Sequence, residues 1–144
     1  MIALGLTAWL LGQVSWDLQA VLGVFAVPAP SDAGYLSIVP FAAIPLIELV
    51  HRRLARGEAL AVYLDAVVIC LALTTLILFT NVEVMSGGPA TGTIVALAYP
   101  ILHLSIAGAG LVALLALRVA LRSGGYLLIA GFTILGLAWV DWLR

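Results

Sequence analysis

Five long apolar stretches follow one another along the chain and limit what it can fold into. Their approximate bounds are 2–27, 33–50, 59–80, 91–117 and 126–143. A helix needs about 20 mostly apolar residues to cross a bilayer core that is roughly 30 Å thick. Because 65% of the residues are apolar and only 9% are charged, a soluble domain of this size has no means of hiding the apolar surface. The sequence therefore predicts an all-α, polytopic transmembrane bundle of about five spans, forming a single domain over residues 1–144.

The composition also excludes several classes of protein. A formal net charge of −1 gives no electrostatic footprint for nucleic acid, so we expect no nucleic-acid partner. The absence of lysine excludes a retinal Schiff base and a phosphate-loop lysine. The single cysteine, Cys70, excludes an internal disulfide. Serines and threonines have no histidine and carboxylate partners at the spacing of a nucleophile. We therefore predict no catalytic residue, no cofactor and no metal site.

The positions of the arginines predict an orientation in the membrane. Arg52, Arg53 and Arg56 lie between the second and third stretches, and Arg118 and Arg122 lie between the fourth and fifth. Short loops rich in arginine stay on the cytoplasmic side of a membrane. Both loops fall on the same side of a five-span alternation, so we expect the N-terminus inside and the C-terminus outside.

A few polar residues fall inside the predicted spans, where a charge costs at least about 2.5 kcal/mol on insertion scales. Gln13 and Asp17 share one face of the first span, and Tyr99 and His103 share one face of the fourth. Both pairs map to the outer half of the bilayer, where a contact between Asp17 and His103 would satisfy both groups. This pattern predicts either a site that senses a ligand or a proton, or a structural hydrogen bond between helices. The candidate sensing residues, including two carboxylates at the outer surface, are Gln13, Asp17, Asp32, Tyr99, His103 and Asp141.

A second group of charges maps to the inner face. Asp65 lies in the inner third of the third span, and its predicted depth brings it near the arginines of the inner loops. We expect a structural ion pair at this face, formed by Asp65 with Arg52, Arg53 or Arg118.

Proline and glycine positions are expected to shape the helices. Each proline inside a span removes one backbone hydrogen bond and kinks the helix, either to line a cavity or as an inert bend. Small residues in a row allow close packing of helices, and Ser31 or Asp32 can cap the second helix. The predicted kinks are at Pro40, Pro45 and Pro100, and the predicted close-packing strips contain Gly108, Gly110 and Ala113 in the fourth span and Gly131 and Gly136 in the fifth.

Short polar islands of this chain resemble one bacterial family. They are Gly12-Gln13-Val14-Ser15-Trp16, the run from Pro28 to Leu36, Leu64-Asp65-Ala66, the run from Leu97 to Leu104, and Val140-Asp141-Trp142. They are similar to the multi-span sensory region found ahead of GGDEF and EAL domains in bacterial signalling proteins, which make or break cyclic di-GMP. The likeness covers almost the whole chain, in order.

The resemblance implies an input module whose catalytic output lies outside these residues, within a longer chain in the bacterial inner membrane. This chain differs from the family at two positions. The resemblance implies an acidic residue at each of them, where this chain has Gln13 and His103. Such differences would change the ligand or the pH response. The family's polar positions carry over to Ser31, Asp32, Asp65, Tyr99, Pro100 and Asp141.

These observations lead to one functional hypothesis and two alternatives. The hypothesis is a sensory or regulatory module in which a small ligand or a proton rearranges kinked helices. The alternatives are a structural or assembly subunit of a larger membrane complex and a small transporter subunit. The expected partners are the lipid bilayer, the small ligand or proton, and a second copy or a larger membrane assembly.

Overall fold

A computed structural model describes residues 1–24, 27–81, 89–117 and 125–143. Within these ranges the chain is all-α, as predicted, and contains no strand. Four of its helices, α2 to α5, are long and apolar enough to cross a membrane, so the chain is a membrane protein. The helices are α1 (Ile2–Leu22), α2 (Pro30–Arg53), α3 (Arg56–Thr80), α4 (Ala90–Leu117) and α5 (Gly125–Trp142).

The first helix differs most from its predicted span. It ends at Leu22 rather than near residue 27, because Gly23 adopts the left-handed conformation at φ 68° and closes the helix. It is also the one described helix that does not qualify as a membrane span by apolarity. Gln13, Asp17 and Gln19 account for this, since amide and carboxylate side chains lower the hydropathy of α1.

The second helix begins earlier than predicted. Pro30 occupies its first turn, where a missing N–H costs nothing. The Ala29 N–H, at the N-cap, donates to Asp32 Oδ2 at 2.6 Å, so Asp32 caps the helix from within the first turn. The helix then continues to Arg53 and passes through both Pro40 and Pro45.

Helix α4 is the centre of the bundle. Within its apolar 18-residue stretch, 39% of the residues are buried, against 11% in each of α2, α3 and α5. It packs against α2, α3 and α5, whereas α1 packs mainly on α2. Pro100, the third predicted kink, lies inside α4 and is fully buried.

Glycines set the closest approaches between helices. A Cβ atom on Gly34 of α2 would lie 2.5 Å from the Cα atom of Gly12 in α1, so the two backbones touch there. The predicted strip on α4 divides between two neighbours, because Gly108 faces Ile69 of α3 and Gly110 faces Ile129 of α5.

In the predicted strip of α5, only one of the two glycines is in close contact. Gly136 packs against Leu104 of α4, and a Cβ atom there would lie 2.6 Å from Leu104 Cγ. Gly131 has open space around its Cα atom. Gly125, the first residue of α5, is also in close contact, because a Cβ atom there would lie 2.8 Å from Leu114 Cδ1.

The helix ends that carry arginines gather at one end of the bundle, which we call the arginine end. Here Val50, near the end of α2, and Ala59 of α3 share a buried apolar group with Leu117, the last residue of α4. The start of α1 and the start of α5 lie at the same end. The orientation of this end relative to the cytoplasm stays a prediction.

Candidate functional site

Tyr35 of α2 is the centre of a side-chain cluster at the end of the bundle opposite the arginine end. Its hydroxyl donates to Gln13 Oε1 of α1 at 2.8 Å. Its ring centroid lies 5.7 Å from that of Trp9 in α1, 6.4 Å from Tyr99 in α4 and 6.3 Å from Trp139 in α5. One buried side chain thus contacts three other helices. We call this group the polar–aromatic cluster; it consists of Trp9, Gln13, Asp17, Gln19, Ser31, Asp32, Tyr35, Tyr99, His103 and Trp139.

The strongest polar contact of the cluster joins α2 to α4. The Tyr99 hydroxyl donates to Asp32 Oδ1 at 2.5 Å, while Asp32 Oδ2 accepts the Ala29 N–H. Both carboxylate oxygens are therefore used, one for the helix cap and one for the interhelical bond. A carboxylate in the first turn of a helix also interacts favourably with the helix dipole. Hydrogen bonds to charged acceptors are shorter and stronger than neutral ones, so this contact fixes the start of α2 against α4.

Amide side chains of α1 provide the second set of contacts. Gln13 Nε2 donates to Asp17 Oδ1 at 2.9 Å, one turn along the same helix. The Ser31 hydroxyl donates to Gln19 Oε1 at 3.1 Å. Together with the Tyr35–Gln13 bond, this places two polar links between α1 and α2, one of them directly beside the contact of Gly12 with Gly34.

His103 lies at the deepest point of the cluster and is 1% exposed. Its Nδ1 atom is 2.7 Å from the Tyr99 carbonyl oxygen. Because a carbonyl only accepts, Nδ1 carries a proton, and the Nε2 atom is the nitrogen that can gain or lose one. The ring stacks over that of Tyr99 at 6.4 Å and lies 6.0 Å from Phe132 of α5.

The predicted contact between Asp17 and His103 is not formed. Asp17 is exposed and pairs with Gln13, while His103 pairs within α4. The physical reason is the helix order, because α1 packs mainly on α2, and α2 separates Asp17 from α4. Of the other candidate residues, Gln13, Asp32, Tyr99 and His103 come together, while Asp141 is exposed on α5 two residues beyond Trp139.

The ion pair predicted for Asp65 with Arg52 or Arg53 is not formed either, and Arg118 lies outside the described residues. In the described ranges the one ion pair joins Arg52 Nη2 to Glu48 Oε1 at 2.5 Å, one turn apart on α2. Asp65 is nine residues from the start of α3, or about 13.5 Å along the helix. That distance keeps its exposed carboxylate away from the arginines.

Sequence reasoning missed Tyr35, Gln19 and Ser31 as members of the cluster. Ser31 is fully buried, although the residue pattern indicated it only as a possible cap and the resemblance only as one of the family's polar positions. Gln19 could have been predicted as a site residue, because it is a second amide in a helix that otherwise carries few polar groups.

Comparison of the chain with protein-family models, curated proteins and solved structures finds no match. The resemblance to membrane sensory regions therefore rests on the polar islands and stays a prediction. Of the family's positions, Ser31, Asp32 and Tyr99 belong to the polar–aromatic cluster, whereas Asp65 lies apart from it.

Proposed function

We propose that this chain is a membrane-embedded sensory or regulatory input module of a bacterial signalling protein of the cyclic di-GMP type. It resides in the inner membrane with its N-terminus inside. It carries no catalytic residues of its own, and another domain or protein provides the output. Its signal is a proton or a small polar ligand that acts on the polar–aromatic cluster.

The observation that carries this proposal is the pair of hydroxyl contacts from Tyr35 and Tyr99. These two bonds link α1 to α2 and α2 to α4, and the ring of Trp139 joins α5 to the same group of side chains. A ligand changes a conformational equilibrium only if it binds one state better than the other. A small polar ligand that replaces the Tyr99 hydroxyl, or a proton taken up within the cluster, weakens the α2–α4 contact and leaves the apolar contacts in place. The arrangement with the Tyr99–Asp32 hydrogen bond and the arrangement without it then differ in affinity for the signal.

The test uses the two histidines of the chain as a matched pair. His103 is buried in the cluster, whereas His51 is exposed at the end of α2. The gene, in its native context and host, is changed to give His103→Leu or His51→Leu, and cellular cyclic di-GMP is measured over a range of external pH. We expect His103→Leu to shift or abolish the pH dependence, and His51→Leu to behave like the unchanged protein.

Two results would contradict the proposal. One is a normal response in His103→Leu at equal amounts of protein in the membrane fraction. The other is a cyclic di-GMP level that does not change even when the gene is deleted.

Asp65 favours a second candidate function, that of an assembly subunit. Its carboxylate is exposed on a membrane-compatible helix and has no hydrogen-bond or ion-pair partner among the described residues. Charged groups within a span usually face a partner or a water-filled cavity, and a neighbouring subunit would provide one. Cross-linking from Asp65→Cys in intact membranes tests this, and the assembly function requires a specific adduct that is missing from Leu64→Cys.

A further inference from the structure

An apolar cavity of about 320 Å³ lies at the arginine end, outside the polar–aromatic cluster. It is lined by residues of α1, α2, α4 and α5. Ile2, Leu49 and Gly125 line it near the arginine end, and Phe132 lines it deeper in the bundle. Every side chain that lines it is apolar, so water would find almost no hydrogen-bond partners there.

The dimensions of the cavity match one leaflet of a bilayer. Its lining on α2 runs from Ile38 to Leu49, twelve residues whose eleven steps cover about 16.5 Å along the helix axis. This is half of a hydrocarbon core that is roughly 30 Å thick. The cavity is partly open, and α1 and α5, which both line it, make few contacts with each other. A hydrocarbon chain can therefore enter from the surrounding leaflet.

The lining face of α2 continues directly into two arginines. Its cavity residues recur every three or four positions, ending at Leu49, and the same spacing leads to Arg52 and Arg53. Both arginines are exposed, and Arg53 forms no ion pair with any described residue. A headgroup attached to a chain in the cavity would emerge beside them. Basic groups at the edge of pockets between membrane helices favour anionic headgroups.

We propose that this cavity binds one acyl chain of an anionic phospholipid, with the headgroup held at Arg53 and Arg52. In a bilayer, the transfer of a chain from lipid to protein brings no hydrophobic gain, so the chain binds through packing against the cavity wall. The arginines then select among lipids. Each cation near the headgroup is expected to favour an anionic lipid over a lipid without net charge by about fivefold. The inference does not depend on the proposed sensory function.

The experiment is native mass spectrometry of the chain, reconstituted in nanodiscs that contain equal amounts of phosphatidylglycerol and phosphatidylcholine. Ala42→Phe places a ring in the cavity, and Ala72→Phe places the same ring on the exposed face of α3. We expect one retained phosphatidylglycerol in the unchanged protein and in Ala72→Phe, and about tenfold lower occupancy in Ala42→Phe. Arg53→Gln keeps the lipid but loses about fivefold of the preference for the anionic headgroup.

Three results would overturn the proposal. They are equal lipid retention in Ala42→Phe and Ala72→Phe, no preference for phosphatidylglycerol in the unchanged protein, and retention of an isoprenoid in place of a phospholipid by protein taken directly from cell membranes. If Ala42→Phe fails to fold, as judged by helicity and thermal unfolding, Ala42→Leu replaces it with a smaller side chain. Failure of the lipid prediction leaves the response of His103→Leu unaffected, so the two proposals are tested separately.

Discussion

At the end of the bundle that carries Asp32, four helices meet through directional hydrogen bonds and aromatic rings. At the arginine end, helices meet mainly through apolar side chains, with one long hydrogen bond of 3.4 Å from the Tyr63 hydroxyl to the Ile47 carbonyl oxygen, and four helices leave a cavity between them. Hydrogen bonds fix distances and angles, whereas apolar contacts between helices in lipid are interchangeable with contacts to lipid chains. The cluster end is therefore built for one specific geometry, and the arginine end can exchange protein contacts for lipid contacts.

The comparison predicts that substitutions at the cluster end destabilise more than substitutions at the arginine end. The largest expected effect is that of Gly34→Ala, because its Cβ atom would lie 2.5 Å from the backbone of Gly12. We expect a loss of about 2–3 kcal/mol in the free energy of unfolding, measured in lipid nanodiscs by steric trapping. The matched control is Gly131→Ala in α5, where nothing lies within 4 Å and a gain of about 0.5–1 kcal/mol is expected. Equal effects at the two glycines would show that the α1–α2 contact is not tight.

Tyr99→Phe comes next, since it removes one hydroxyl and keeps the ring contacts. We expect a loss of about 1.5 kcal/mol in the free energy of unfolding, near the upper limit for interhelical hydrogen bonds in membranes, because the acceptor is a carboxylate. Tyr126→Phe is the control, as Tyr126 is 41% exposed. If the Tyr99→Phe protein is as stable as the control, the hydrogen bond from Tyr99 to Asp32 does not stabilise the fold.

Tyr35→Phe sharpens the comparison within the cluster. Its hydroxyl donates to the neutral amide oxygen of Gln13, so the expected loss is the average for such bonds, about 0.6 kcal/mol. The same unfolding measurement checks it. A loss larger than that of Tyr99→Phe would mean that the α1–α2 link, and not the α2–α4 link, holds the cluster together.

The smallest effect is expected at the arginine end. Arg52→Gln breaks an exposed ion pair with Glu48, and such pairs within a helix contribute about 0.3–0.5 kcal/mol. The difference in unfolding free energy should shrink further in high salt. A loss above that of Tyr99→Phe would contradict the contrast between the two ends.

The helices were predictable from the sequence, while the order in which they pack was not. Apolar run lengths located α2 to α5 within about three residues, because bilayer thickness sets the length of a span. Lipid-facing and protein-facing sides of these helices are both apolar, so periodicity does not reveal which faces meet. The expected contact of Asp17 with His103 failed for this reason.

The candidate site was predictable in part. Gln13, Asp32, Tyr99 and His103 stood out as polar groups in apolar surroundings, and they do come together. Tyr35 did not stand out, because an aromatic ring is ordinary in a membrane helix. Its role depends on the hydrogen bond of its hydroxyl to Gln13 on another helix, and the sequence does not show that contact. The apolar cavity could not be predicted from the sequence, since it is a space between four helices and depends on how they pack.

The contact between Asp32 and Tyr99 is the central element of the proposed site, and a double-mutant cycle tests it most directly. Asp32→Ala, Tyr99→Phe and the double mutant are compared with the unchanged protein by their free energies of unfolding in nanodiscs. Loss of the helix cap occurs with either residue at position 99, so it cancels from the cycle. We expect a coupling energy of about 1 kcal/mol or more. Additive effects, with no coupling, would contradict the assignment of this contact as the link between α2 and α4.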